Sequence, residues 1–386
     1  MHEPVRARRP VRSPAIAFAV VPELHAVGWK DGADDGVVFP LVPLFPTMVA
    51  FPSFFGALLV SLSFVPGVWC LDCLSATTSI SSIQGSGNIS PLVNSVVQVK
   101  GIVTADLQKG FGTTNGFFLQ EIGSGDDDPL TSDGIFVYES SKDVSQGDIV
   151  VLSGKVIEYY NLTEISIVSD LIVCSRNESL PKPVVLEIIP SRAMAQIVLE
   201  QYEGMLVSLP NATVVEVYGL GQYSEVKLSS QGRIMTSTQI APPGVESNSV
   251  LKDYRDSLLI DDGSSSAYPV PVRFPSNGLN YTNTLRVGDN VYNAAGPLTY
   301  TFSNFRIFIA PSAMIPPPSF RSSNPRPMAP APTKGRVTVA SFNLLNYFNG
   351  PFPTSRGAKS ASDFDKQRRK IISALTIMDA AIVGLM

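Results

Sequence analysis

Two clusters of charged side chains have residue types and spacing that suit ion binding. The first comprises Asp126, Asp127, Asp128 and Asp133, all within the segment GSGDDDPLTSDG. Clustered carboxylates and carbonyls are typical Ca²⁺ ligands, although this spacing differs from that of an EF-hand loop. Asp, Gly, Pro and Ser are also ordinary turn residues. The sequence therefore leaves two interpretations of the Asp126–Asp133 loop, a calcium site and a solvated turn.

The second cluster is basic and lies near the end of the chain. Arg368, Arg369 and Lys370 are consecutive within DFDKQRRKIISAL. Such cations bind nucleic-acid phosphates, whereas charges on an amphipathic helix more commonly form its solvated face. Upstream, Asn343 follows the apolar run RVTVASF, at a position typical of a strand-end turn.

The positions of the histidines and cysteines limit which catalytic and metal sites the rest of the chain can form. The two histidines, His2 and His25, lie in the first 25 residues. This excludes Ser-His-Asp and Cys-His catalysis and His-ligated zinc after the leader. Cys70 and Cys73 have the CxxC spacing of a redox motif but end an apolar segment without βαβ context, so we interpret the spacing as accidental.

Charge is distributed unevenly along the chain. Residues 77–320 carry 14 basic and 24 acidic side chains, a net charge of −10, and residues 321–386 carry 10 basic and 3 acidic side chains, a net charge of +7. Non-specific nucleic-acid binding needs positive charge near phosphates. The end of the chain is therefore the better candidate for contact with DNA.

Residues 1–76 have the character of a leader. No charged residue occurs from Gly36 to Leu71, SFFGALLVSLSFVPGVWCL resembles a secretory h-region, and LSA, ending at Ala76, resembles a cleavage site. A later start at Met48 and an uncleaved membrane anchor are alternatives. Cleavage would leave Cys174 as the only cysteine, with no intrachain disulfide. Five glycosylation sequons fit a secreted or membrane-anchored protein, at Asn88, Asn161, Asn177, Asn211 and Asn280.

The sequence of the middle of the chain predicts short strands and turns, so the predicted fold class is mainly β. We expect two related five-stranded OB-like barrels, at 83–180 and 200–312, because VSQGDIVVLSGKVIEYYNLTEISI and LRVGDNVYNAAGPLTYTFSNFRIFI share a pattern. One larger β-sandwich is the alternative. Barrels of this type often bind nucleic acid through aromatic residues. However, Phe117, Phe118, Phe136 and Tyr138 alternate at strand spacing, and we expect them mainly to fill the core.

A proline-rich linker at 313–334 precedes the last segment, 335–386. There the pattern predicts a buried strand over RVTVASFNL, a helix and a second buried strand over AAIVGLM. Ser362 is the predicted N-cap of the helix, with Asp365 three residues on. The helix would present Phe364 and Ile371 on one apolar face.

The motifs VASFNLLNYF, RGA, DFDKQRRKIISAL and DAAIVGLM together resemble the opening of secreted nucleases of the endonuclease/exonuclease/phosphatase (DNase I-like) superfamily. The similarity is greatest to large extracellular nucleases that carry OB-like domains ahead of the catalytic domain, and it extends from Ile83 to Met386. The fold it implies is two OB-like β-barrels followed by the truncated start of an α/β DNase I-like domain.

The resemblance implies a metal-dependent nuclease that hydrolyses extracellular DNA or RNA with Mg²⁺ or another divalent cation. Asn343 matches the Asn that positions the metal-bound phosphate, and the metal-binding Glu is expected just beyond Met386. The catalytic histidines and aspartates of the family would follow, so we expect this chain to be a fragment without activity of its own. The alternatives are another phosphoesterase of the superfamily, such as a phosphatase or sphingomyelinase, and a non-catalytic secreted β-domain that binds a polymer or surface.

Overall fold

The computed structural model describes residues 71–109, 114–323 and 325–386. They form two successive β-barrels and a short C-terminal strand–helix–strand segment, so the protein is mainly β as expected. Most of the predicted leader, with both histidines and Cys70, lies outside the described residues. Within the part that is described, no helix is long and apolar enough to cross a membrane.

The first barrel is closed by antiparallel pairing of its first and fourth strands and parallel pairing of its third and fifth. Its interior is formed by Val, Ile, Leu and Phe at alternating strand positions, including Val97, Val99 and Val103. The inward residues of a pleated strand recur every second position, so the Val-rich alternation in the sequence produces this core. Its elements are helix α1 (Ile80–Gln84) and strands β1 (Val96–Leu107), β2 (Gly116–Gln120), β3 (Gly134–Val137), β4 (Ile149–Tyr159) and β5 (Leu162–Ser175).

The second barrel contains five strands in the same order and adds one strand at each side of the sheet. It also carries short helices in its connections and a 3-10 turn at Glu200–Tyr202. Its elements are β6 (Val184–Val185), α2 (Ala195–Val198), β7 (Leu206–Glu216), α3 (Leu220–Tyr223), β8 (Val226–Ser229), α4 (Ser237–Ile240), α5 (Val245–Asp253), β9 (Leu258–Asp261), β10 (Asn290–Thr301), β11 (Asn304–Phe308) and β12 (Ser319–Arg321).

The two barrels share strand order and local detail. The order is β1-β2-β3-β5-β4 in the first and β7-β8-β9-β11-β10 in the second, and in both the third and fifth strands pair in parallel. Each barrel is closed separately, because β1 pairs with β4 and β7 pairs with β10. The alternative of one larger sandwich is therefore wrong.

The Gly-Asp pair that repeats in the sequence marks the same turn in both barrels. Gly147 and Gly288 precede the fourth strand with φ of +84° and +97°, and their N–H groups donate to the carbonyls of Val103 and Val214 at 2.9 and 2.8 Å. The Asp that follows each Gly accepts a hydrogen bond from the backbone three residues earlier. These values of φ favour glycine, which explains why this part of the repeat is visible in the sequence.

The barrels pack against each other through a small apolar cluster and a close backbone contact. Phe118 of the first barrel lies edge-on to Phe308 of the second, with 6.0 Å between ring centroids. Gly134 and Gly204 touch through their backbones, so that a Cβ at either position would overlap the other chain segment. Leu206 N–H donates to Gln120 Oε1 at 2.8 Å across the same contact.

A disulfide joins Cys73 to Cys174, which are 101 positions apart in sequence. Cys174 therefore has a partner in the chain as given, and cleavage at Ala76, which would remove Cys73, stays a prediction. The segment that contains Cys73 lies against β1, because Lys100 Nζ donates to the Cys73 carbonyl at 2.9 Å and Thr78 N–H donates to Gln98 O at 2.7 Å. Residues at the end of the predicted leader thus belong to the folded first barrel.

The C-terminal segment comprises β13 (Val339–Phe342), α6 (Ala361–Met378) and β14 (Ile382–Leu385), and its two strands pair in parallel. Both strands were expected to be buried, but Val339 is 68% exposed and Ile382 is 58% exposed. The reason is that α6 is the only helix joining this two-stranded pair, and α6 itself contains no buried residue.

The predicted cap of α6 was displaced by two residues. Ser360, not Ser362, is the N-cap, and its Oγ accepts the Asp363 N–H at 3.1 Å. Ser360 has the extended backbone that a capping residue needs, with φ of −144° and ψ of 164°, whereas Ser362 already lies inside the helix.

Candidate functional site

The carboxyl ends of β13 and β14 lie side by side. Leu344 N–H donates to Met386 O at 2.9 Å, and Met386 N–H donates to Phe342 O at 3.1 Å. Asn343 lies between Phe342 and Leu344, the two residues that make these hydrogen bonds, and it is exposed. Ligands of open α/β sheets bind outside the carboxyl ends of parallel strands. Asn343 therefore occupies the edge at which such a sheet presents functional side chains.

Asn343 also closes the strand. Its Oδ1 accepts the Leu345 N–H at 2.8 Å, which is the turn role expected for a strand-end Asn. Its Nδ2 group makes no hydrogen bond to any described residue. The two amide N–H donors therefore remain available to an anion.

Helix α6 fixes the loop that carries Asn343. Gln367 Nε2 donates to Leu345 O at 3.0 Å. The Tyr347 ring stacks on Phe364 of the helix with a centroid distance of 4.8 Å and an interplanar angle of 19°. These contacts connect the start of the loop to the first two turns of α6, so they orient the carboxyl end of β13.

The three consecutive basic residues have different surroundings. Arg368 Nη2 lies 2.7 Å from Asp365 Oδ1, and Arg369 pairs with the other oxygen of the same carboxylate. Exposed ion pairs of this kind contribute little stability. Lys370 makes no ion pair with a described residue. The solvated helix face is thus present, with Lys370 as its unpaired cation.

The Asp126–Asp133 loop uses its carboxylates to build turns. Asp126 Oδ1 accepts the Asp128 N–H at 3.0 Å, which lowers the pKa of Asp126, and Asp128 Oδ1 accepts the Leu130 N–H at 2.9 Å. Nowhere in the described ranges do three or more His, Cys, Asp or Glu side chains form a group that could hold a metal ion. These hydrogen bonds are those of ordinary turns, and the calcium interpretation stays a prediction.

The barrel aromatics occupy the positions expected for core residues. Phe117 and Phe118 are fully buried and Phe136 is 6% exposed, which confirms the prediction for these three. Tyr138, at 49% exposed, lies at the surface. The buried rings are therefore not available for stacking on a ligand.

Buried carboxylates were not anticipated from the sequence. Burial raises the pKa of Glu164 on β5 to about 7 and that of Glu200 to about 7. Glu203 is 1% exposed, and burial raises its pKa well above the ordinary value, although its Oε1 accepts the Thr163 N–H at 3.0 Å. Glu164 lies on β5 and Glu203 is bonded to it, and no sequence pattern distinguishes these two residues from surface Glu.

Comparison with known proteins matches one part of the chain to a family. Residues 192–317 match a domain of unknown function (DUF8508), and this range encloses the five barrel strands β7–β11 but not the added strands β6 and β12. No curated protein matches. Twelve chains of solved structures match, among them a murine DNA-binding protein bound with double-stranded DNA. That match has 10% identity and a TM-score of 0.20 and covers 58% of this chain and 97% of the other. A TM-score of 0.20 is too low to assign a shared fold.

Proposed function

We propose that this chain is the barrel-bearing part of a secreted, divalent-metal-dependent nuclease that hydrolyses phosphodiester bonds in extracellular DNA or RNA. The observation that carries the proposal is the position of Asn343 beside the end of β14, with free amide donors at the carboxyl edge of a parallel strand pair. The resemblance to the DNase I-like superfamily assigns that edge to the phosphate and its metal ion.

The role of Asn343 in this proposal is to hold a phosphate oxygen. An amide N–H that donates to the developing charge of a transferring phosphoryl group lowers the barrier without giving up a proton. A divalent ion would supply polarisation of the phosphoryl oxygen and a nucleophilic water. The described residues do not fit a metal site, since Asn343 Oδ1 is bonded to a backbone amide and no acidic group accompanies it. The metal ligands would have to be residues other than those described.

The barrels support the same proposal at the level of fold. A closed five-stranded barrel with parallel third and fifth strands has the strand order of an OB-fold, a type that binds oligonucleotides and oligosaccharides. We propose that both barrels are of this type. Because residues 77–320 carry a net charge of −10, we expect them to hold the C-terminal segment rather than to bind DNA tightly by themselves.

Secretion is supported by two features of the described residues. A disulfide between Cys73 and Cys174 persists in oxidising compartments and is rare in the cytosol. All five sequon asparagines are exposed, as glycan attachment requires.

The proposal is tested on the protein as its source cells make it. An antibody raised against residues 192–317 would capture the protein from culture medium, and labelled DNA and RNA would be incubated with it in Mg²⁺. We expect phosphodiester cleavage that EDTA abolishes and added Mg²⁺ restores. Cleavage of phosphomonoesters or sphingomyelin alone would favour another phosphoesterase, and a captured protein with no hydrolytic activity would favour a binding module.

A further inference from the structure

A groove of about 940 Å³ lies between the second barrel, the proline-rich linker and α6. We call it the linker groove. Its volume falls in the upper part of the range of about 300–1,000 Å³ that is typical of ligand sites. Its walls are formed by Arg286 ahead of β10, the linker from Arg326 to Pro330, Phe342 of β13 and the side of α6 that contains Arg369, Lys370 and Ile377.

The side chains that line the linker groove are cationic or uncharged. Four of them are Arg or Lys, at 286, 326, 369 and 370, and none is acidic. Arg326 and Lys370 are exposed and make no ion pair with a described residue. Cations on opposite walls of one concave surface add their fields, so the groove attracts anions although the whole chain has a net charge of −4.

Apolar side chains lie between these cations. Met328 is 93% exposed on the linker, Ile377 is 49% exposed on α6, and the half-buried ring of Phe342 faces the same space. Proteins that bind single-stranded nucleic acid combine a positive track for the backbone with aromatic and apolar surfaces for the bases. In a duplex the bases are stacked and paired, so the apolar lining would have no partner.

We propose that the linker groove binds single-stranded nucleic acid, with its phosphates at Arg326 and Lys370. Phe342 in the groove wall immediately precedes Asn343 in the chain, although Asn343 itself does not line the groove. This inference rests on the proposed function for the identity of the ligand. It adds a binding site built from four separate segments, three of which lie outside the basic cluster of α6.

The test is a titration of the full chain against a labelled 12-nucleotide oligo-dT, followed by fluorescence anisotropy at several salt concentrations. The variant R326Q/K370Q removes one cation from each wall. For single strands, log K changes by about 0.7 per phosphate contact for each tenfold change in salt. The double variant loses two such contacts, so we expect it to bind about 25-fold more weakly at 0.1 M salt. The slope of log K against the logarithm of the salt concentration should be smaller in magnitude by about 1.4. K370Q alone should lose about 5-fold.

The matched control is R233Q/K252Q, which removes the same charge at exposed positions elsewhere on the second barrel. All four positions are exposed, and thermal melting would verify that each variant is folded. If R326Q/K370Q and the control bind oligo-dT with equal affinity, the proposed binding at the linker groove is refuted, even if the native protein hydrolyses DNA. Tighter binding of duplex DNA, of polyglutamate or of anionic-lipid vesicles than of oligo-dT would overturn the choice of ligand. Absence of oligonucleotide binding together with absence of hydrolysis would refute the proposed function as well.

Discussion

The disulfide provides the most quantitative prediction. In the double variant C73S/C174S the first barrel loses the cross-link that ties its N-terminal segment to the end of β5. The native contacts beside Cys73, such as the bond from Lys100 Nζ, do not depend on the sulfur atoms. The effect should therefore arise mainly from the greater freedom of the unfolded chain.

The size of the effect follows from the length of the closed loop. Cys73 and Cys174 are 101 positions apart, and the chain-entropy model assigns about 4.7 kcal/mol at 25 °C to a loop of about 100 residues. Measured losses are commonly smaller, so we expect the free energy of unfolding of the first barrel to fall by about 2–5 kcal/mol.

The assay is urea unfolding of the full chain followed by circular dichroism, with hydrogen exchange to separate the barrels. We expect C73S/C174S and reduced wild type to share one lowered midpoint, and faster exchange to be confined to β1–β5. The control C70S should retain the wild-type midpoint. Equal midpoints for C73S/C174S and oxidised wild type, or a peptide map that pairs Cys70 with Cys174, would refute the reasoning.

Three further predictions concern stability. Burial raises the pKa of Glu164 from 4.5 to about 7, so its protonated form is favoured in the folded state; the stability it contributes is complete below pH 4.5 and is lost as the pH rises through 7. Between pH 5 and pH 8, we expect the E164Q variant to lose less stability than the wild type, by on the order of 3 kcal/mol. The control E246Q, at an exposed position, should have the urea midpoints of the wild type at both pH values. An E164Q variant with the pH dependence of the wild type would contradict this. Gly204→Ala should lower the free energy of unfolding by about 2 kcal/mol or more, because φ is +78° and the new Cβ meets the backbone of the first barrel. A Gly204→Ala variant that melts at the wild-type temperature would count against the close contact. Residues 336–386 should be digested before the barrels in thermolysin time courses read by mass spectrometry, and a tail that outlasts the barrels would disprove the weak packing described for α6.

The barrels were predictable because their signals are local. The Val-rich alternation of β1 and the Gly-Asp pair before β4 and β10 arise from strand pleating and from a turn with positive φ. Both act over a few residues, so they can be read in the sequence. The strand order within each barrel depends on pairings between distant segments, and the repeat showed only that the two barrels are alike.

The features that were missed depend on distant or competing partners. Cys73 pairs with a residue 101 positions away, and its place beside an apolar leader favoured removal over pairing. Ser360 and Ser362 are equally good caps by residue type, and only the backbone angles distinguish them. The linker groove combines Arg286, Arg326 and Lys370 from a barrel, a linker and a helix, which no spacing in the sequence could bring together.

The central claim is that the carboxyl edge of β13 holds the scissile phosphate. The most direct measurement is the rate of Mg²⁺-dependent DNA hydrolysis by the native protein after Asn343→Ala is introduced into its gene, with Asn349→Ala in the same loop as the control. We predict a loss in kcat on the order of 100-fold for the first variant, because one hydrogen-bond donor to the transition state is removed, and an unchanged rate for the second. Hydrolysis at the wild-type rate by the Asn343→Ala protein would contradict the account.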